Sequence, residues 1–73
     1  MENRLEFLRT QAGLTQQELA DRVDVSRQTI ISLENGRYNP SILLAFRLSK
    51  LFGQSIESIF IYKEESEYEK SEF

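Results

Sequence analysis

Cysteine and histidine are both absent from the 73 residues, which removes disulfide bridges and the usual zinc-ligand sets together. Packing alone is left to hold the fold, and a domain of this size buries only about 60% of the surface that its unfolded chain exposes. A partner subunit would help. Proline occurs once, and with no repeat or interior linker one domain is expected. No run approaches the roughly 18 apolar residues of a membrane span. The charged start Met1-Glu2-Asn3-Arg4 leads into an amphipathic pattern, not the apolar block of a signal peptide. A soluble, cytoplasmic protein with no membrane partner is the expectation. There is no nucleophile paired with a His or Cys base and no Gly-rich phosphate loop. Neither an enzyme nor a bound cofactor or metal is expected.

The formal charge of −3 at first argues against a nucleic-acid partner, because neutralising phosphates supplies much of the affinity for DNA. Its distribution weakens that objection. Residues 1–60 hold seven basic and seven acidic side chains, whereas residues 61–73 set Lys63 and Lys70 against Glu64, Glu65, Glu67, Glu69 and Glu72. A neutral body, residues 1–60, followed by an acidic extension, residues 61–73, can still meet a duplex through a local patch.

Apolar spacing divides the body into helices. Leu5, Leu8 and Ala12 recur at helical intervals before Gly13, which gives a first helix over about residues 2–12 with Phe7 widening its apolar face. Thr15 and Glu18 have capping-box spacing, opening a second helix that runs to about Val23 with Leu19, Ala20 and Val23 inward. After Asp24 and Val25, Ser26 caps a third helix with Ile30 and Leu33 inward, closed by Asn35-Gly36. Asn39-Pro40-Ser41 reads as a turn and cap for a fourth helix over about 42–52, packed through Leu44, Ala45, Leu48, Leu51 and Phe52. Ser55 caps a short fifth helix from Ile56 to about Phe60. Ile61 and Tyr62 can extend as a short strand, and the glutamate-rich residues 63–73 read as frayed or disordered. The fold class is therefore all-α, a five-helix bundle with a short C-terminal β-strand as an option.

Three stretches stand in order: Leu14-Thr15-Gln16-Gln17-Glu18-Leu19-Ala20, Val25-Ser26-Arg27-Gln28-Thr29-Ile30, and Leu33-Glu34-Asn35-Gly36-Arg37-Tyr38-Asn39-Pro40-Ser41. Together they resemble the phage-repressor and Cro-like helix-turn-helix regulators, over about residues 4–60. The resemblance implies a five-helix DNA-binding bundle that acts on double-stranded DNA as a homodimer. It also implies base contacts at Arg27, Gln28 and Ser32, phosphate contacts at Gln16, Asn35 and Arg37, and an ion pair between Arg9 and Glu34.

Physical chemistry gives those positions their roles. A helix fits the major groove, with residues near its N-terminus at base edges and the preceding helix across the backbone. Arginine pairs bidentately with guanine and glutamine with adenine. Thr29 can touch a thymine methyl. Gln16 lies where free backbone N–H groups and its own amide can hold a phosphate oxygen. Ser26 at the start of the third helix and Tyr38 after its end complete the expected phosphate contacts. Asn35 serves equally well as a helix terminator. The Arg9–Glu34 pair contributes within about 1 kcal/mol if exposed and costs about 3–5 kcal/mol to break if buried.

The sequence departs from the family pattern at Asp24, where the turn usually has glycine. Aspartate tolerates a left-handed conformation better than most residues. Ile31, where a polar residue is usual beside the reading face, either contacts thymine methyls or is a single exposed apolar group; Leu43 is similarly surplus on the fourth helix, and with residues 59–62 the two can instead border an interface. Ile59, Phe60, Ile61 and Tyr62 are the candidate dimer interface, with capping of the domain's own core as their other reading. The alternative function is a protein-binding adaptor or antitoxin built on the same bundle.

Overall fold

The computed structural model describes residues 1–62. Five helices follow a two-residue strand: β1 (Glu2–Asn3), α1 (Leu5–Gln11), α2 (Gln16–Val23), α3 (Arg27–Glu34), α4 (Ile42–Phe52) and α5 (Ile56–Ile59), with β2 (Phe60–Ile61) closing the described chain. Residues 63–73 of the acidic extension, read from the sequence as frayed or disordered, lie outside the described residues. No helix among those described is long and apolar enough to cross a membrane.

Local chemistry explains where most helices start. Thr15 accepts the Glu18 N–H at 3.0 Å while the Glu18 carboxylate accepts the Thr15 N–H at 2.8 Å, so the capping box forms on both sides. Ser26, Ser41 and Ser55 each accept the N–H three residues on, from Thr29, Leu44 and Ser58. Each cap satisfies one of the donors that a helix start leaves free, contributing about 1 kcal/mol.

The turn between α2 and α3 ends α2 without glycine. Asp24 takes φ 61° and ψ 48°, the one non-glycine with positive φ among the described residues. The Val25 N–H reaches back to the Ala20 carbonyl (3.0 Å) and the Asp24 N–H to Asp21 (3.4 Å), the paired bonds of a Schellman ending. From α4, the Arg47 guanidinium donates to the Val23 carbonyl at 3.1 Å, satisfying another orphan of the same helix end. The turn is thus held from outside as well as by its own backbone.

The interior is apolar throughout. Leu5, Leu19, Ile30, Leu33, Leu48 and Ile59 are fully buried, Val23 nearly so, and among the described residues no buried polar side chain joins them. Removing side chains of this size from water stabilises the fold by about 1.5–3 kcal/mol each before chain entropy is counted. α2 and α3 make the most extensive helix contact, joined through Leu19, Ala20, Val23, Ile30 and Leu33 in one cluster.

Both ends of the body differ from what periodicity predicts. Residues 2 and 3 are not helical: β1 pairs antiparallel with β2, Glu2 opposite Ile61 and Asn3 opposite Phe60. The Arg4 N–H continues the contact to the Ile59 carbonyl at 2.8 Å. α1 therefore starts at Leu5, whose N–H donates to the Asn3 side-chain carbonyl at 3.0 Å. Its end comes one residue early, leaving Ala12 exposed beyond it. Phe7 is exposed as well, with the Arg4 guanidinium 5.3 Å from its ring centre, within cation–π range. At the other end α5 stops at Ile59, and Phe60 belongs to the strand, which occupies 60–61 and not 61–62.

Candidate nucleic-acid interface

α3 lies with Ile30 and Leu33 inward, so its opposite face is fixed by helical rotation. At about 100° per residue, Gln28, Ser32 and Asn35 share a sector roughly 60° wide on that opposite face, with Ile31 at its edge. Arg27 stands at the first position of α3, and Arg37 follows its end. Arg27, Gln28, Asn35 and Arg37 are exposed, while Ile31 and Ser32 are half-buried. Among the described residues, none of the side chains of Arg27, Gln28, Ser32, Asn35 and Arg37 makes a hydrogen bond or ion pair. α3 itself adds no acid to this face, since its one acid, Glu34, is engaged by Arg9. Gln28, Ser32 and Asn35 thus share one face, with Arg27 about 100° round from Gln28 at the start of the helix and Arg37 beyond its end, all with side-chain donors unspent.

Thr29 is placed apart from this group. It sits about 100° round the helix from Gln28, half-buried, and its hydroxyl is hydrogen-bonded to that of Ser26 at 3.0 Å. Ser26 in turn accepts the Thr29 N–H at 3.2 Å. Both hydroxyls are therefore engaged in starting α3. Tyr38 is exposed beyond the helix end, on the same connection as Arg37.

Behind α3 an ion pair fixes the helix to its neighbours. Arg9 Nε donates to Glu34 Oε2 at 2.6 Å and Arg9 Nη2 to Glu34 Oε1 at 3.3 Å, a two-pronged contact between α1 and α3. The side chains are only 11% and 5% exposed, so the pair, at the edge of the apolar core, is largely withdrawn from water and nearer the buried than the exposed case. A third bond runs from Arg9 Nη1 to the Leu14 carbonyl at 2.9 Å. The hydrogen bond to Glu34 raises the Arg9 pKa above its ordinary value; the charges of Glu34 and Glu6 add to the rise, and burial opposes it.

The same carboxylate reaches the edge of the exposed face. Gln16 Nε2 donates to Glu34 Oε1 at 3.2 Å, which holds the amide at the first turn of α2. Glu34 can only accept, so the amide nitrogen faces it, leaving its second N–H for another acceptor. The capping box uses the backbone N–H groups of Thr15 and Glu18, so those of Gln16 and Gln17 remain available at a helix N-terminus, where negative charge is favoured. One network therefore joins α1, α2 and α3 through Arg9, Gln16 and Glu34.

Sequence patterning did not single out the contacts that anchor the far end of α3. The Asn3 amide donates to the Leu33 carbonyl at 2.8 Å and to Met1 O at 3.1 Å. The Met1 ammonium donates to Gly36 O at 2.8 Å. Gly36 has φ +72°, and a Cβ there would stand 3.3 Å from Met1 O. Left-handed backbone and close approach both call for glycine. No local signal marks Asn3 or Arg47, because each acts on a carbonyl more than twenty positions away.

The expected dimer residues divide. Ile59 is fully buried and Phe60 is 6% exposed, both in the protomer's own core, so their side chains are not presented to a partner. Pairing with β1 is the reason: it draws β2 against the body. Ile61 is half-buried and Tyr62 is exposed.

Two helices joined by a tight left-handed turn, the second with an unpartnered polar face, match a known family. Residues 5–59 match the helix-turn-helix family. The chain belongs to it. It is 51% identical over 65 residues to an uncharacterised HTH-type transcriptional regulator of Methanocaldococcus jannaschii, covering 89% of this chain and 98% of that one. A second such regulator, of Methanothermobacter thermautotrophicus, is 57% identical over 58 residues, 78% of this chain and 84% of its own. The immunity repressor of Bacillus phage phi105 is 30% identical over 74 residues, 94% of this chain and 51% of its own. Helix-turn-helix regulators are DNA-binding proteins and not enzymes. In this one, α2 and α3 are the paired helices and Asp24-Val25 is the turn.

Proposed function

We propose that this regulator is a repressor that binds a palindromic operator in cytoplasmic DNA as a homodimer, with α3 in the major groove of each half-site. The carrying observation is the polar surface along α3, where the side chains of Arg27, Gln28 and Ser32 have no partner among the described residues. Arg27 reads a guanine edge and Gln28 an adenine edge, with Ser32 one turn on; each good pair discriminates by about 1–3 kcal/mol. Thr29 contributes its methyl group, since its hydroxyl is held by Ser26. Gln16 and the α2 N-terminus hold one phosphate, Ser26 flanks the groove, and Asn35, Arg37 and Tyr38 hold the backbone on the other side. Repression is supported by the name of the phage relative.

A single recognition helix reads too few base pairs for useful specificity, which is the argument for two copies on half-sites about one helical turn apart. Selection from random duplexes tests the whole reading. It is expected to return two inverted half-sites about 10 base pairs apart, centre to centre. Failure of any duplex to bind at low salt would overturn it. The exposed Ile42, Leu43 and Phe46 favour a second reading, in which the same bundle also binds an unlike protein as an antitoxin or adaptor.

A further inference from the structure

One side chain away from the reading face joins three elements. Asn3 lies on β1 opposite Phe60, and its Oδ1 accepts the Leu5 N–H at 3.0 Å, at the start of α1. Its Nδ2 donates to the Leu33 carbonyl of α3 at 2.8 Å and to Met1 O at 3.1 Å. These partners fix which way the amide points, since the two carbonyls only accept and the Leu5 N–H only donates. From this arrangement we infer that Asn3 is a positioning residue for DNA binding, bracing the end of α3 so that Arg37 is set against the phosphate backbone, which deepens the DNA reading proposed above and rests on it.

The link from Asn3 to Arg37 runs through the main chain. α3 ends in a Schellman turn: the Arg37 N–H returns to the Ser32 carbonyl at 3.0 Å and the Gly36 N–H to the Leu33 carbonyl at 2.9 Å, with Gly36 left-handed at φ +72°. Leu33 O is therefore shared between the turn and Asn3, and both of its lone pairs are used. Arg37 is the residue that closes this turn, so a brace on Leu33 O also fixes where its side chain departs. The second acceptor of Asn3 belongs to the same junction, because Met1 O lies 3.3 Å from where a Cβ of Gly36 would stand.

Two observations favour placement over a purely structural role. The Arg37 side chain makes no hydrogen bond or ion pair among the described residues, so the backbone of the turn is what places it. A backbone already fixed leaves only side-chain freedom to be lost when the guanidinium meets a phosphate. Asn3 itself is half-buried and outside the apolar cluster, so it packs no core. Its chemistry is also specific. One short amide supplies both donors and the acceptor, whereas a carboxylate would keep the acceptor for Leu5 and turn negative charge on two carbonyls at the negative end of α3.

Asn3→Asp is therefore the selective variant, keeping the start of α1 and releasing the end of α3. Asn3→Ser, uncharged and too short to hold both carbonyls, is the second, and carries both measurements should Asn3→Asp not fold. Amide hydrogen exchange on the free protein is expected to rise about tenfold at Gly36 and Arg37, and by less at Leu19 and Leu48 in the core. Duplex binding, measured where every variant is folded, is expected to weaken about tenfold for operator and unrelated sequences alike, with the logarithmic salt slope lower by about one. In an Arg37→Ala background the same change at Asn3 is expected to cost no further affinity, because the group it positions is gone. Exchange that rises equally throughout the chain, an unchanged salt slope, or a loss that adds in full to that of Arg37→Ala overturns the inference. A parent that binds no duplex, with exchange still rising at Gly36 and Arg37 in the variants, removes the DNA reading and leaves Asn3 as the brace of the turn.

Discussion

Replacing Arg9 with methionine tests the network behind α3. The perturbation removes the guanidinium but keeps much of the apolar stem, so Glu34, 5% exposed, is left with Gln16 as its only described side-chain partner. An unpaired carboxylate in such a place costs about 3–5 kcal/mol. The lower end, about 3 kcal/mol, applies here, because the vacated space lies near the surface and lets water reach the acid. A domain of this length has about 4–11 kcal/mol of total stability, so the variant stays folded at low temperature but loses a large share of its margin. The expected melting temperature falls by about 12–24 °C. Urea unfolding is the assay, read as a lower midpoint at unchanged slope. Adding Glu34→Leu is expected to recover most of the loss, since an apolar pair needs no counter-ion. The double variant should still bind DNA more weakly, because Gln16 then has no carboxylate to hold its amide. The arginine contribution also has a defined pH dependence. Its raised pKa means that the stabilisation is present below arginine's ordinary value and is lost only as pH rises through the still higher folded one, so neutral-range pH does not titrate it away from the arginine side. A cost under about 1 kcal/mol for Arg9→Met, the scale of an exposed pair, would refute the burial argument, as would a double variant no more stable than the single.

Asp24→Gly is expected to raise stability by about 0.5–1 kcal/mol, because glycine takes the left-handed turn without the Cβ penalty; a lower urea midpoint would show that the Asp24 side chain contributes more than its strain costs. Arg27→Ala is expected to weaken specific binding by about 1–3 kcal/mol and relax the preference at one base pair, which equal affinity for the selected operator would contradict. Arg37→Ala should weaken binding to all sequences alike and lower the logarithmic salt slope by about one. An unchanged slope counts against a phosphate contact there.

How far the sequence could be read depended on the range of each signal. The Thr15–Glu18 box, the serine caps and the left-handed Asp24 rest on residues within a turn of one another, and such spacing is visible in the chain itself. Leu19, Ile30, Leu33 and Leu48 likewise betray their burial through periodicity. The start of the chain is different. Glu2 and Asn3 read as helix because nothing nearby says otherwise, and the partner that makes them extended lies at Phe60 and Ile61. That pairing also moved Ile59 and Phe60 from expected interface to core.

At the site, the spacing of Gln28, Ser32 and Asn35 already implied a shared face, since it follows from helical rotation alone. The engagement of the Thr29 hydroxyl by Ser26, and the bonds of Asn3 and Arg47 to helix-end carbonyls, depend on tertiary placement that no local pattern encodes. The exposed α4 surface was partly visible, as the surplus Leu43.

The most direct measurement is a nuclear magnetic resonance titration of the labelled protein with the selected duplex. The largest shifts are expected on Gln16, Arg27, Gln28, Ser32 and Arg37, with smaller shifts for the buried residues behind them. Shifts confined to α4 and α5, or a spectrum that no duplex changes at low salt, would contradict α3 as the reading helix.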